Sequence, residues 1–124
     1  MARASDPART RVTKLCLALP EVVDQSSGQH VAFVVRGKKF AYYLDDHHGD
    51  GRLAIWCAAP PGMQEALVQG EPEHYFRPPY VGHRGWIGVH LNRGLDWNEI
   101  AGAIEEAYCE VAPASLVERA RGGS

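Results

Sequence analysis

The 124-residue sequence has little cysteine and no long apolar run, and these features argue against disulfide-rich, secreted and membrane-spanning proteins. Its cysteines, Cys16, Cys57 and Cys109, are odd in number, far apart and flanked by apolar residues. This pattern supports neither a disulfide framework nor a CxxC metal site, and it predicts buried thiols. Residues 1–12 lack the apolar run of a signal peptide, and no segment is long enough to cross a bilayer. We therefore expect a cytoplasmic protein without a membrane partner.

A strong charge bias is also absent. The chain has 13 Lys and Arg against 15 Asp and Glu, which gives a formal net charge of -2 at pH 7. Such a balance provides no global attraction to polyanions, and 45% hydrophobic with 23% charged residues is typical of a soluble globular protein. A chain of this length buries one core, so we expect a single domain over residues 1–124, ordered at about residues 6–118.

The sequence lacks the common catalytic and cofactor motifs. Neither GxxxxGK[ST] nor GxGxxG occurs, and no serine lies in a GxSxG sequence. The six histidines are scattered between positions 30 and 90 without the spacing of metal ligands. We therefore predict no catalytic residue, no cofactor and a non-enzymatic function.

The segment YYLDDHHGDGRLAIW, residues 42–56, concentrates carboxylates and imidazoles and could suggest a metal site. An EF-hand loop starting at Asp46 fails because its twelfth position is Cys57 instead of glutamate. Asp45, His47, His48 and Asp50 are chemically suitable for a transition metal, but four ligands in one short turn rarely complete a tetrahedral shell. We interpret the segment as a solvated hairpin loop with glycines at positive φ and aspartates that cap backbone amides.

Two amphipathic helices are predicted near the ends of the chain. Asp6 and Pro7 resemble an N-cap and a first helical position, and apolar residues then recur at helical spacing up to residue 19. Asp96 and Glu99 form a capping pair that begins a second helix, which should stop before Pro113.

Between these helices the apolar period changes to two, which indicates strands. The predicted strands are residues 30–36, 38–44, 52–58 and 85–91, with a weaker one near 21–25. The segment 60–80 predicts a long connection, with a helix at 62–68 and a helical turn at 73–76. Together these elements predict an α+β fold: an antiparallel β-sheet with the N- and C-terminal helices packed on one face and the other face open.

Alternation assigns the side chains to the two faces. The row expected to face the helices is Val31, Phe33, Val35, Phe40, Tyr42, Leu44, Leu53, Ile55, Cys57, Ile87, Val89 and Leu91. The opposite row is aromatic and basic: His30, Arg36, Lys39, Tyr43, Arg52, Trp56, Trp86, Gly88 and His90. Such a row either covers an open sheet with long cationic side chains or forms a platform for stacking and anion binding. A bulge, for which Gly88 is a candidate, would shift the assignment.

The run PPYVGHRGWIG, residues 78–88, presents a histidine and an arginine just before a tryptophan that enters a strand. Its glycines allow the backbone to turn closely, and its prolines stiffen the approach. Two interpretations remain open: an anion site built from His83 and Arg84, or a loop in which both side chains are solvated.

The segments FVVRGKKFAYYL, RLAIWC, PPYVGHRGWIGVHL and AYCEVAP together resemble the MmcQ/YjbR family over most of the chain. The marks are Gly37, Lys38 and Phe40 in the first hairpin, Trp86 opening the late strand and Tyr108 near the end of the last helix. The resemblance implies a CyaY-like (frataxin-like) α+β fold and a DNA-binding role through basic loops. Ala58 and Ala107 depart from the family pattern. At position 58 the alanine removes a positive charge from the proposed DNA-binding surface.

Our leading hypothesis is a non-enzymatic protein that binds DNA. The candidate nucleic-acid-binding residues are Arg36, Lys38, Lys39, Arg52, His83 and Arg84, with Trp56 and Trp86 for stacking. The alternative is a binding module for a small anionic or aromatic ligand, seated where the 60–84 connection meets the open sheet face. A third hypothesis, an enzyme of unknown reaction, has no mechanism in the sequence, and the open face could also form a homodimer.

Overall fold

An antiparallel sheet of six strands lies at the centre of the structure, a computed structural model that describes residues 6–28 and 30–122. Its strands are β1 (Val22–Ser27), β2 (His30–Val35), β3 (Lys38–Asp45), β4 (Leu53–Cys57), β5 (Tyr75–Phe76) and β6 (Ile87–His90). Their spatial order is β1-β2-β3-β4-β6-β5, so β6 inserts between β4 and the short edge strand β5. The predicted strands are confirmed, including the weak first one, whereas the helical turn expected at 73–76 is wrong because β5 occupies it.

The described residues also form four α-helices: α1 (Asp6–Leu17), α2 (Met63–Gly70), α3 (Trp97–Val111) and α4 (Ala114–Gly122). The Asp96 carboxylate accepts a hydrogen bond of 2.8 Å from the Asn98 amide and caps α3 as predicted. Ala112 adopts an extended conformation because Pro113 follows it, and this ends α3. No helix among residues 6–28 and 30–122 is long and apolar enough to span a membrane.

The helix α4 continues past residue 118, near which the sequence predicts the end of the ordered core. It begins directly after Pro113 and reaches Gly122. Leu116 is its buried anchor, with an exposed fraction of 2%. Residues 1–5, which were expected to fray, lie outside the described residues, as do residues 123 and 124.

The helices pack on one face of the sheet and enclose the main core. The ring of Phe40 in β3 meets the ring of Tyr108 in α3 at a right angle, with 5.6 Å between centroids. The Cys57 sulfur lies 4.0 Å from the Ala103 carbonyl oxygen of the same helix. The fully buried side chains of this core include Val12, Cys16, Val31, Phe33, Val35, Ile55, Val89, Ile100 and Ile104.

A bulge in β3 changes which side chains face the helices. Phe33 pairs with Ala41, but Val34 pairs with Lys39, so Phe40 is an extra residue in the strand. Both Phe40 and Ala41 are buried.

Side chains beyond the bulge consequently exchange faces. Tyr43 pairs with Val31 and Ile55 on the helix side, whereas Tyr42 pairs with Trp56 on the other side. The predicted placement of Tyr42 and Leu44 on the helix face, and of Tyr43 on the opposite face, is therefore wrong. The irregularity lies in β3 and not at Gly88, which pairs regularly with Trp56.

The second face of the sheet is not fully open. Trp56, Trp86 and His90 each have an exposed fraction of only 4%, although they face away from α3. The segment 77–84 crosses this side, and its attachment is fixed by Gln64 of α2. The Gln64 amide nitrogen donates hydrogen bonds to the carbonyl oxygens of Gly82 and Trp86, at 2.8 and 2.6 Å.

Candidate functional site

Aromatic rings gather on the second face of the sheet. The Tyr42 ring lies between the two indoles, with centroid distances of 6.4 Å to Trp56 and 5.8 Å to Trp86. The Trp56 indole also contacts the imidazole of His47 at 4.9 Å and the phenol ring of Tyr80 at 6.5 Å. These tilted and edge-to-face arrangements are the favourable geometries for aromatic pairs. The cluster therefore joins two strands, the 47–49 turn and the 77–84 segment into one surface.

Beside this cluster lies a concave site that we call the aromatic cavity. Its volume is about 520 Å³, within the usual range of small-molecule sites. Its walls are formed chiefly by His30, Lys39, Tyr42, His47, Trp56 and Tyr80. None of the described residues that line it is acidic, so Lys39 gives the wall of this cavity a positive charge.

The first strand closes the aromatic cavity with polar side chains. Gln25 pairs with Ala32 and Ser27 pairs with His30, so both β1 side chains lie on the second face of the sheet. An amide carries a donor and an acceptor, and a hydroxyl can be either. This rim can therefore read the edge of a ligand whose ring stacks on the aromatic wall.

Tyr80 forms the outer wall in a strained backbone conformation. Its φ is 66°, in the left-handed region that costs a non-glycine residue roughly 1 to 2 kcal/mol. The phenol is 69% exposed, yet its ring approaches His47 and Trp56 at centroid distances of 6.0 and 6.5 Å. The two prolines before it restrict the chain, and the contacts with His47 and Trp56 hold the ring at the cavity in this conformation.

The histidines add polar groups to the same cavity. The rings of His30 and His47 are 5.4 Å apart between centroids. The Nδ1 atom of His30 is buried and has no hydrogen-bond partner among residues 6–28 and 30–122. Buried ring nitrogens are normally satisfied, so this atom marks a polar position in an otherwise aromatic wall.

A second concavity, the cationic cleft, adjoins the first. It has a volume of about 530 Å³ and is lined by Gly37, Lys38, Lys39, Tyr42, Arg84, Glu110 and Val111. The Arg84 guanidinium carbon lies 5.3 Å from the centre of the Trp86 ring, and the Lys39 amine lies 5.9 Å from that of Tyr42. Three cations face one carboxylate, so the cleft favours an anion. Lys39 and Tyr42 line both concavities.

The predicted binding residues divide into two groups. Lys38, Lys39 and Arg84 lie together at the cationic cleft, and Trp56 lines the aromatic cavity. Trp86 lies beneath Arg84 and beside Tyr42. Because both indoles are almost fully buried, the accessible ring surface is that of Tyr42 and Tyr80.

The other three predicted residues lie outside both linings. Arg36 donates two hydrogen bonds to the Glu21 carboxylate, at 2.6 and 2.9 Å. Hydrogen bonding to Arg36 lowers the pKa of Glu21, and the same contact raises the pKa of Arg36. Arg52 lies 4.2 Å from the centre of the Phe76 ring, and His83 is exposed in the 82–84 turn.

The charged turn after β3 is held by its own aspartates. The Asp46 carboxylate accepts a hydrogen bond of 2.7 Å from the Gly51 amide, and the Asp50 carboxylate accepts one of 2.8 Å from the Arg52 amide. Gly49 and Gly51 have positive φ, which confirms the predicted turn chemistry. The turn also brings the His47 ring to Trp56, and the sequence did not predict this contact.

Two site residues were missed or misplaced by the sequence. Tyr42 was assigned to the helix face because a regular alternation has no signal for the bulge at Phe40. Gln25 was not considered, although the polar composition of β1 could have indicated a solvated strand beside a binding surface.

The fold and the site define a small α+β domain with an aromatic cavity on its helix-free sheet face and a cationic cleft between that face and the end of α3. A family model described as YjbR matches residues 17–110, more than half of the chain. The chain belongs to the YjbR family.

A solved structure supports this fold assignment. The crystal structure of Deinococcus radiodurans protein DR2400, which has a DUF419 domain, is similar to this chain with a TM-score of 0.71. The alignment covers 93% of this chain and 86% of that one at 16% sequence identity, so it shows the fold alone. No curated protein matches the sequence significantly.

Proposed function

We propose that this YjbR-family chain is a non-enzymatic binding protein whose aromatic cavity takes a small aromatic anion. One observation carries the proposal: Tyr42, Trp56 and Tyr80 surround a cavity of about 520 Å³ in which Lys39 is not opposed by any acidic residue of the described lining. Rings bind planar ligands by stacking, and the solvent-exposed ammonium group of Lys39 attracts an anion toward the cavity.

Two of the three thiols are unsuited to act as catalytic nucleophiles. Burial raises the pKa of Cys57 to about 12, so this thiol remains protonated at neutral pH. Cys57 pairs with Ala41 and lies on the helix side of the sheet, away from the aromatic cavity. Cys16 is also fully buried and its pKa is raised by the same cause. A reactive cysteine requires an accessible thiolate, which neither residue provides.

The proposal is tested by titrating the protein with a panel of aromatic carboxylates, sulfonates and phosphates while tryptophan fluorescence is recorded. A ligand in the cavity should quench Trp56 in a saturable way. Lys39→Gln should weaken binding about tenfold, since a charge-assisted contact contributes about 1.5 to 3 kcal/mol. Arg36→Gln is the matched control, because Arg36 lies outside the cavity and should leave the affinity unchanged.

Amide NMR spectra recorded in parallel locate the site. Shifts at Gln25, Tyr42 and Tyr80 are expected with any ligand that quenches the fluorescence. Failure of the whole panel to shift these amides would reject the proposed function.

DNA binding is a second candidate, and the cationic cleft favours it. Lys38, Lys39 and Arg84 are close enough together to line one concavity, which permits contact with neighbouring phosphates. The exposed ring of Tyr80 and the partly buried ring of Tyr42 offer stacking surface to an unpaired base. The cytoplasm, where DNA is accessible, is the location that we propose for either function.

A salt series tests the DNA hypothesis. Labelled duplex and single-stranded DNA should bind in anisotropy titrations at about 50 mM salt and dissociate at about 200 mM. Lys38→Glu combined with Arg84→Glu should abolish the signal, whereas Arg36→Glu should have a smaller effect. An affinity that is unaffected by salt and by the double variant would remove this candidate.

A homodimer through the second face has weaker support. The indoles that would form such an interface are buried under the 77–84 segment, and Tyr80 is the exposed large aromatic residue on the described part of this face. If the second face is not a dimer interface, light scattering should give the mass of a monomer.

A further inference from the structure

The aromatic cavity and the cationic cleft are neighbours that share two lining residues. Tyr42 and Lys39 line both, so a ligand can occupy the two concavities at once by passing over these side chains. One concavity has aromatic walls and a polar rim, whereas the other has three cations and one carboxylate. A ligand that matches both has a planar ring at one end and a strong anion at the other.

We infer that the ligand class is a nucleotide, with its base in the aromatic cavity and its phosphate in the cationic cleft. The inference rests on the proposed function and specifies its ligand. A simple aromatic acid carries its anion directly on the ring and needs only Lys39. A nucleotide separates the two groups by a sugar, which suits a site where Tyr42 lines the aromatic cavity and also lines the cleft that holds Lys38 and Arg84.

The rim of the aromatic cavity favours a nucleobase over a plain aromatic ring. Gln25 lies on the second sheet face beside Ser27, and both line the cavity. A glutamine amide can donate to and accept from the edge of a base at the same time, as it does with adenine. A hydrocarbon ring would form no hydrogen bond with these exposed polar groups, so the rim would add nothing to its affinity.

The charge of the cleft suits a phosphate. Lys38, Lys39 and Arg84 together oppose Glu110, which leaves an excess of positive charge for a phosphate monoester or diester. Arg84 is held over the Trp86 ring, so its guanidinium loses less conformational freedom when it binds an anion. Free nucleotides and unpaired nucleotides of a single strand share this chemistry.

Calorimetric titrations with AMP, adenosine, inorganic phosphate and benzoate separate the contributions of ring and anion. We expect AMP to bind at least about tenfold more tightly than adenosine or phosphate, since the two concavities act together. The same four probes are followed by amide NMR. If benzoate or adenosine shifts the amides of the aromatic cavity but AMP binds no more tightly than adenosine, the nucleotide inference is overturned and the proposed function stands. If none of the four probes shifts these amides, the inference is overturned, and the wider panel of aromatic anions decides the proposed function.

Variants provide an independent signature. Lys38→Gln combined with Arg84→Gln should lower AMP affinity about tenfold and leave adenosine affinity unchanged, whereas Gln25→Ala should weaken both. Arg36→Gln, outside both concavities, should affect neither. Equal losses for AMP and adenosine in the double variant would contradict a phosphate site in the cleft.

The source of the nucleotide is decided by comparing AMP with a short single-stranded DNA and the matching duplex. Tighter binding of the single strand than of AMP, with the duplex weakest, assigns the site to unpaired bases in a strand. Tighter binding of AMP assigns it to free nucleotides. A duplex that binds more tightly than both would overturn the inference, because a paired base cannot enter the aromatic cavity.

Discussion

Tyr42 lies directly opposite Trp56 in the ladder between β3 and β4, and the two rings meet edge to face with 6.4 Å between their centroids. The next residue, Tyr43, is 1% exposed and belongs to the helix side of the sheet. Adjacent tyrosines therefore lie on opposite faces of the sheet: Tyr42 belongs to the candidate site and Tyr43 belongs to the core.

This division predicts different effects of the same substitution at the two tyrosines. Tyr43→Ala should destabilise the protein by about 3 to 5 kcal/mol, because it removes a fully buried ring from the core. Tyr42→Ala should cost roughly 1 to 2 kcal/mol, since this ring is only partly buried, but it should abolish ligand binding. Urea unfolding followed by circular dichroism measures the first effect, and fluorescence titration measures the second. Equal destabilisation by the two variants would contradict the face assignment.

The hydroxyl of Tyr108 joins the end of α3 to the loop before β1. It donates a hydrogen bond of 2.8 Å to the Pro20 carbonyl oxygen, while its ring is fully buried. Tyr108→Phe should lower the free energy of unfolding by about 1 kcal/mol, because the carbonyl loses its partner and no cavity is formed. Tyr80→Phe is the control, since that phenol is mostly exposed and its change should be within about 0.5 kcal/mol. Thermal unfolding of both variants gives the comparison.

His90 predicts a pH dependence of stability. Burial lowers its pKa to about 4, with further lowering by the charges of Arg93, Arg52 and His74 and an opposing contribution from Asp50. The unfolded state, with a pKa near 6.5, binds more protons between these values, so the stabilising contribution is present above pH 6.5 and is lost as pH falls toward 4. The loss should be on the order of 3 kcal/mol.

His90→Gln isolates this contribution from the other titrating groups. Its unfolding free energy should vary less between pH 6.5 and 4 than that of the unchanged protein, measured by urea unfolding at each pH. His83→Gln is the matched control, because His83 is exposed in the 82–84 turn and should keep the original slope. A slope that persists in His90→Gln would assign the acid sensitivity to other groups.

The three cysteines should differ in reactivity. Cys16 and Cys57 have exposed fractions of 0%, and burial raises the pKa of each. Cys109 lies in α3 with intermediate exposure, and burial raises its pKa as well. A thiol reagent at pH 8 should therefore modify Cys109 slowly in the folded protein and all three cysteines in urea. Mass spectrometry of the folded sample checks this, and rapid labelling of Cys57 would contradict its burial.

The sequence by itself determined the helices, the strands and the packing of the helices on one face of the sheet. Capping by Asp96 and the stop at Pro113 are local effects, and alternation with a period of two identifies the apolar strands without knowledge of their partners. The α+β class and the helix-facing row in β2, β4 and β6 follow from these local signals. Lys38, Lys39 and Arg84 were predicted as binding residues from the family resemblance and the basic row of the sheet, and their function stays a prediction.

Only the tertiary structure decided how the second face is built. The bulge at Phe40 depends on packing of its ring against Tyr108, a residue far along the chain, and it reverses the faces of Tyr42 and Tyr43. The aromatic cavity likewise combines β1, the 47–49 turn and the 77–84 segment, whose proximity is set by strand order and by the two hydrogen bonds of Gln64. Register and loop placement are long-range consequences of core packing, so local sequence patterns do not specify them.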